Sequence, residues 1–148
     1  MQTELYDEIK KGLSQYIESL KLQYPYKPKP KKQGEKVEQV VGFSPSEPSY
    51  PLIIIDEVDN TPYQNMSNYR QTVASVSYKV DIYAKTSGSI TKQAIARTLA
   101  EHCNDYLKCI NLKQVSYNAF PNEGTNGAIY HITLMYSARY FENKQYFV

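Results

Sequence analysis

An α+β fold is predicted: one mainly antiparallel sheet of four to five strands, with two helices packed on one of its faces. Three observations predict it. Residues 71–85 and 127–140 alternate apolar with polar or mixed side chains, the period of a strand that commits one face to a core. Residues 3–23 and 90–109 repeat apolar side chains at spacings of three and four, the period of an amphipathic helix. Strand–helix–strand units do not recur along the chain, which argues against a doubly wound parallel sheet.

The first helix is expected over residues 3–23. Leu5, Tyr6, Ile9, Leu13, Tyr16, Ile17 and Leu20 form one apolar stripe. Thr3 can cap the free N–H groups, Glu4, Asp7 and Glu8 favour the positive end of the helix dipole, and Pro25 is expected to stop the helix. Gly12 weakens its middle by ~1 kcal/mol relative to Ala. Residues 24–36, YPYKPKPKKQGEK, then read as an extended basic arm. Its prolines fix φ and remove donors. Lys27, Lys29, Lys31, Lys32 and Lys36 make it the one strongly basic patch, either an arm contacting a partner or phosphate, or a solvated linker extended by self-repulsion. Residues 37–43 offer a short strand, and 44–49 a loop.

Leu52, Ile53, Ile54 and Ile55 form a continuous apolar run, as expected of a strand covered on both faces and ending in a turn at Asp59, Asn60, Thr61 and Pro62. In residues 71–85, Thr72, Ala74, Val76, Tyr78, Val80, Ile82 and Ala84 face one way; Val73, Ser75, Ser77, Lys79, Asp81 and Tyr83 face the other. Residues 86–89 form a turn that can cap the second helix, whose expected buried stripe is Ile90, Ala94, Ile95, Leu99, Cys103, Tyr106 and Leu107. A weaker strand follows at 111–120. Residues 121–127 carry turn chemistry, with Asn126-Gly127 a hairpin signal and Gly88 and Gly124 further turn glycines. The last strand, 127–140, sets Ala128, Tyr130, Ile132, Leu134, Tyr136, Ala138 and Tyr140 on a core face. At ~3.3 Å per residue it would span roughly 46 Å, more than the core of a small domain needs.

The 148 residues suit one domain, and a net charge of +2 does not mark a dedicated nucleic-acid binder. Fifteen tyrosines against four phenylalanines suit surfaces that are alternately wet and buried, or reflect base composition. Cys103 and Cys109 lie six apart on a helix and face different sides, as free thiols in a reducing compartment would. The first residues hold no apolar run of signal-peptide length, and no stretch approaches the ~18 apolar residues of a membrane span.

No catalytic constellation emerges, and no enzyme activity, cofactor or metal is expected. His102, Cys103 and Cys109 lack zinc spacing, and Asp56, Glu57, Asp59 and Asn60 supply too few ligands at set positions for a calcium loop. Positive evidence points to an interaction surface. The outer face of the last strand carries Ile129, Met135 and then Phe141, interleaved with His131, Thr133 and Arg139, a mixture suited to an interface. Tyr83 is the matching aromatic on the outer face of 71–85.

The motif order PLIIIDEVDN, YKVDIYAK, AIARTLAEHCNDYL and FPNEGTNGAIYHITLMYSARY, behind an amphipathic first helix, resembles the tail terminator (tail completion, head–tail joining) proteins of long-tailed bacteriophages. The likeness covers residues 51–140 and the first helix; the Lys/Pro arm departs from it. The resemblance implies a structural virion protein at the tail–neck junction, assembled in the host cytoplasm. Such a subunit forms a hexameric ring on the head-proximal end of the tail tube, stops tube polymerisation and docks a neck protein. DNA passes through the lumen with weak, non-specific contacts, and no membrane partner is implied. Two alternatives stand beside it. One is another neck or tail-tube component of related fold. The other is a small nucleic-acid-binding module using the lysine arm, with Tyr24 and Tyr26 stacking on bases.

Overall fold

The computed structural model describes residues 2–28, 39–43, 45, 49–62, 73–141 and 146–147. In chain order these form helix α1 (Gln2–Ser19), strands β1 (Val40–Val41), β2 (Leu52–Pro62) and β3 (Val73–Lys85), helix α2 (Lys92–Cys109), strand β4 (Lys113–Glu123), a 3-10 turn (Thr125–Gly127), and strands β5 (Ile129–Phe141) and β6 (Tyr146–Phe147). The fold is α+β. One sheet runs β1-β2-β3-β5-β4, with β6 paired to β5 past the point where β4 leaves off. All pairings are antiparallel except β1 with β2. β3 and β4 therefore run parallel on either side of β5, and α2 makes the crossover between them.

Register explains the core. Tyr78, Val80, Ile82 and Ala84 on β3 lie opposite Tyr136, Leu134, Ile132 and Tyr130 on β5, and all eight are buried. Ile53 and Ile55 of β2 extend this surface. Both helices cover that one face. α1 contributes Ile9, Leu13 and Ile17, and α2 contributes Ile95, Leu99, Cys103 and Leu107, each set spaced at four. Two alanines of α2 that the sequence stripe omitted, Ala96 and Ala100, are also buried and bring the helix close to the sheet. Ala94, assigned to the stripe, is exposed.

Tyrosine proves to be a core residue here. Tyr78 and Tyr136 are fully buried in register with each other, and their hydroxyls donate to Glu57 at 3.5 Å and to Asn104 at 2.9 Å. Tyr6 donates to the Ile55 carbonyl at 2.7 Å and stacks on Tyr78. Part of the tyrosine excess is thus apolar volume whose polar tips find partners inside. Gly12 has a packing reason as well. A Cβ there would collide with the Tyr106 hydroxyl, and Tyr106 is held against Tyr16 at 5.4 Å between ring centroids. The two helices approach where α1 has no side chain.

Several boundaries differ from expectation. α1 stops at Ser19, short of Pro25, because the chain tightens through Leu20 and turns left-handed at Lys21 (φ 51°). α2 begins at Lys92; Thr91, not the 86–89 turn, is its N-cap and accepts from the Ala94 N–H at 3.2 Å. Thr86 still helps, accepting from the Lys92 N–H at 3.0 Å. α2 ends in a left-handed Asn111 (φ 69°). The Leu112 N–H reaches Leu107 O at 3.0 Å and the Asn111 N–H reaches Lys108 O at 3.0 Å, a Schellman closure with Leu107 and Leu112 both buried.

The turn expected at residues 59–62 is instead the end of β2. β3 is long enough to keep pairing with it, down to Pro62 opposite Ala74, and a register shift between Glu57 and Asp59 absorbs the irregularity. β4 likewise continues to Glu123, and Pro121 is tolerated because the strand lies at the sheet edge. The short strand sought in 37–43 is the two-residue β1, and it is parallel. Cover on both faces of the apolar run holds at Leu52 and relaxes at Ile54, which is half-buried. Asn126 and Gly127 both take positive φ, and the Lys92 ammonium closes the turn by donating to the Gly127 carbonyl.

Candidate functional site

The sheet face away from both helices is built from the alternate residues of β3, β5 and β4. Cross-strand register sets them in rows. Tyr83, His131 and Phe120 form one row; Asp81, Thr133 and Asn118 the next; Lys79, Met135 and Ser116 the third. Ile54 and Asp56 of β2 extend the second and third rows. Of the outward set anticipated on the last strand, His131, Thr133 and Met135 lie on this face. β5, however, is an interior strand, so its main-chain groups are already paired on both sides.

His131 organises the face. Its Nδ1 lies 2.6 Å from Glu123 Oε2, and its Nε2 lies 2.7 Å from Asp81 Oδ1. The ring stacks on Tyr83 with centroids 4.2 Å apart, and Phe120 tilts against it at 5.3 Å. Asp81 is 7% exposed, the one charged residue that is buried among the described residues. It also accepts from the Thr133 hydroxyl at 2.7 Å and faces the Lys79 ammonium at 3.7 Å.

The electrostatics follow from that geometry. Burial disfavours the Asp81 carboxylate, but hydrogen bonds from His131 and Thr133, with the charges of Lys79 and His131, outweigh it and hold the carboxyl below its ordinary value. Burial likewise disfavours the His131 imidazolium, yet the bonds to Asp81 and Glu123 and their negative charges raise its pKa above 6.5. Burial, then the charges of Asp81 and Glu123, push the Tyr83 phenol up to about 12.

Chemically this is a tie between strands. When the imidazole is protonated, Nδ1 donates to Glu123 and Nε2 to Asp81, so both of its nitrogens are engaged by carboxylates. The Thr133 hydroxyl is 3.0 Å from His131 Nε2, a spacing found in activated nucleophiles, but its proton goes to Asp81. The cluster clamps β3, β5 and the end of β4 together across the open face.

The other anticipated residues divide. Met135 and Tyr83 lie on the open face, half-buried. Ile129 packs against the turn, where a Cβ on Gly124 would come within 2.9 Å of its Cδ1. Arg139 and Phe141 belong to the far end of β5, and their side chains lie outside the described residues. Of the arm, Lys27 is exposed; Lys29, Lys31, Lys32 and Lys36 lie outside the described residues. Asp81, Glu123 and Phe120 escaped the sequence reading as site residues. The available signal was that Asp81 and His131 each occupy the outward phase of a long alternating strand.

Elsewhere, among the described residues, no group of three or more His, Cys, Asp and Glu side chains is arranged to hold a metal ion. A shallow groove at the C-terminal end of α2 is lined by Asn104, Lys108, Asn111, Leu112, Lys113 and Gln114. No described helix is long and apolar enough to cross a membrane. Cys103 is buried and Cys109 exposed, both as free thiols. No protein-family model matches the chain, and no curated protein sequence matches it.

Proposed function

We propose that this chain is a structural subunit of a bacteriophage tail–neck junction. It assembles as a ring, hexameric by its resemblance to tail terminators, on the head-proximal end of the tail tube. There it stops polymerisation and offers a docking surface to a neck protein. The observation that carries the reading is the sheet face that neither helix covers, on strands longer than the helices. β3 and β5 have 13 residues each, so they reach ~43 Å, whereas the 18 residues of α2 reach ~27 Å. β3 and β5 are therefore each roughly 16 Å longer than α2. A subunit that meets neighbours needs such surface, and an ion-tied, half-buried face keeps its shape while waiting for them.

Light scattering and negative-stain imaging test this, with and without purified tail tubes. Ring-sized particles, or a monomer that closes tube ends, are expected, and deletion of the gene should give overlong tails. A stable monomer that neither binds tubes nor affects their length overturns the proposal. Tail-less heads would favour the other neck or tube component.

A further inference from the structure

β4 is the outermost strand on its side of the sheet, and among the described residues β5 is its partner along one edge only. Natural edges are blunted by bulges, proline and charge, because an unpaired row of N–H and C=O groups invites another strand. The stretch SYNAF of β4, residues 116–120, has none of these and pairs regularly with β5. Three of the six large exposed apolar side chains among the described residues, Val115, Tyr117 and Phe120, are on this strand. α2 rests mainly over β3 and β5, so even the helix-side face of β4 stays open at Tyr117 and Ala119.

The strand is laid out symmetrically about Asn118. That residue is the midpoint of the 11 in β4 and lies opposite Thr133 of β5. Lys113 lies opposite Ser137 and Glu123 opposite Ile129, each four β5 residues from Thr133. One register shift falls on either side, between Gln114 and Ser116 and between Phe120 and Glu123, and each adds one residue to β4. A two-fold axis through Asn118, normal to the sheet, therefore sets a second β4 antiparallel to the first with bulges and strand ends level. Both copies then keep their helices on one side of a continuous sheet.

That register is self-complementary. Tyr117 and Ala119 share the helix side, opposite Leu134 and Ile132, while Ser116 and Phe120 share the open face, opposite Met135 and His131. Across the axis each large side chain meets a small one: Tyr117 faces the partner's Ala119, and Phe120 faces the partner's Ser116. Asn118 meets its own copy, amide to amide. Lys113 comes level with the partner's Glu123 on the open face, so opposite charges close both ends of the ladder. Lys113 is exposed and the Glu123 side chain is 40% exposed, so both can be reached. Sliding the partner by two residues would set Tyr117 against Tyr117, or Phe120 against Asn118, and would part the charges.

We infer that β4 pairs with β4 of a second copy of this chain, joining two sheets into one about a two-fold axis at Asn118. Such a contact closes at two copies, so it goes beyond the ring reading and is separate from any repeating ring contact. A ladder this short pairs weakly and fills at high protein concentration. Cysteine cross-linking of the full chain tests both contact and register, with circular dichroism to check that each variant folds. Asn118→Cys in a Cys109→Ser background should form a disulfide-linked dimer about tenfold faster than the wild type does through its exposed Cys109. Ser116→Cys and Phe120→Cys in the same background should link to each other when mixed, and neither to itself. Adding Lys113→Glu to the Asn118→Cys chain should slow linking about fivefold at low salt and less at high salt. Wild-type amide exchange over residues 116–120 should slow as protein concentration rises, a readout that needs no substitution. Linking at 118 no faster than at Cys109, with exchange at 116–120 independent of concentration, overturns the contact. Ser116→Cys linking to itself as fast as to Phe120→Cys overturns the register.

Discussion

Replacing His131 with Ala removes the clamp at its centre, and the size of the effect follows from who is left behind. Asp81 loses the hydrogen bond at 2.7 Å and keeps the Thr133 hydroxyl and a lysine at 3.7 Å. Its side chain is only 9% exposed, so losing a hydrogen bond between charged groups there should cost ~1.5–3 kcal/mol. Glu123 is 40% exposed and is screened by solvent, so its share is below about 1 kcal/mol. Loss of the Tyr83 stack adds ~0.5–1 kcal/mol. The expected total is roughly 2–5 kcal/mol, read as a shift in urea midpoint at constant slope. Because the cost is mainly a stranded carboxylate, adding Asp81→Asn to His131→Ala should recover about 1–2 kcal/mol.

The pH dependence carries a definite sign. His131 has a folded pKa above 6.5, so its stabilisation is complete below 6.5 and is lost as pH rises through the folded value. Asp81 has a folded pKa below 3.8, so its stabilisation is present above 3.8 and is lost as pH falls through the lower folded value. The clamp is strongest between those limits. Wild-type stability should decline as pH rises above about 6.5 and through the folded His131 value, by an amount that His131→Ala does not show. Equal slopes in the two proteins, or a His131→Ala effect simply additive with Asp81→Asn, would refute the clamp.

Three further outcomes are expected. Gly12→Ala should destabilise by about 1–3 kcal/mol in urea unfolding despite the ~1 kcal/mol gain in helix propensity, since the new Cβ meets the Tyr106 hydroxyl; net stabilisation would mean the helices part easily. Asn111→Val should lower stability by about 1–2 kcal/mol and Asn111→Gly should not, because that position is left-handed; equal effects would show the Schellman closure contributes little. Burial pushes the Cys103 thiol up to about 12, so a thiol reagent at neutral pH should modify one cysteine, Cys109, in the native protein and both after denaturation. Rapid native labelling of both would contradict the packing of α2.

Much of the fold was legible because burial writes itself as periodicity. The alternation of β3 and β5 placed Tyr78, Val80, Ile132 and Leu134 in the core, and the spacing of four in both helices placed Ile9, Leu13, Leu99 and Cys103 there. Local signals failed where a neighbour decided the outcome. Asp59 to Pro62 read as a turn but stay in strand because β3 extends far enough to pair with them. β1 is two residues long and has no pattern to read. The clamp was half-visible. Asp81 and His131 were assigned to outward faces, but they are 50 residues apart, and only register tells that Tyr83 lies opposite His131 and brings Asp81 within reach. Glu123 was concealed by its Pro-Asn-Glu-Gly setting, which read as turn although the strand runs through it.

The proposed role is closure of the tail-tube end by a ring of this chain. Negative-stain imaging of the purified protein mixed with tail tubes tests it most directly. A discrete ring at one end of each tube, with no further growth from that end, is expected. Bare ends, with the protein remaining monomeric and tube growth unaffected, would contradict it.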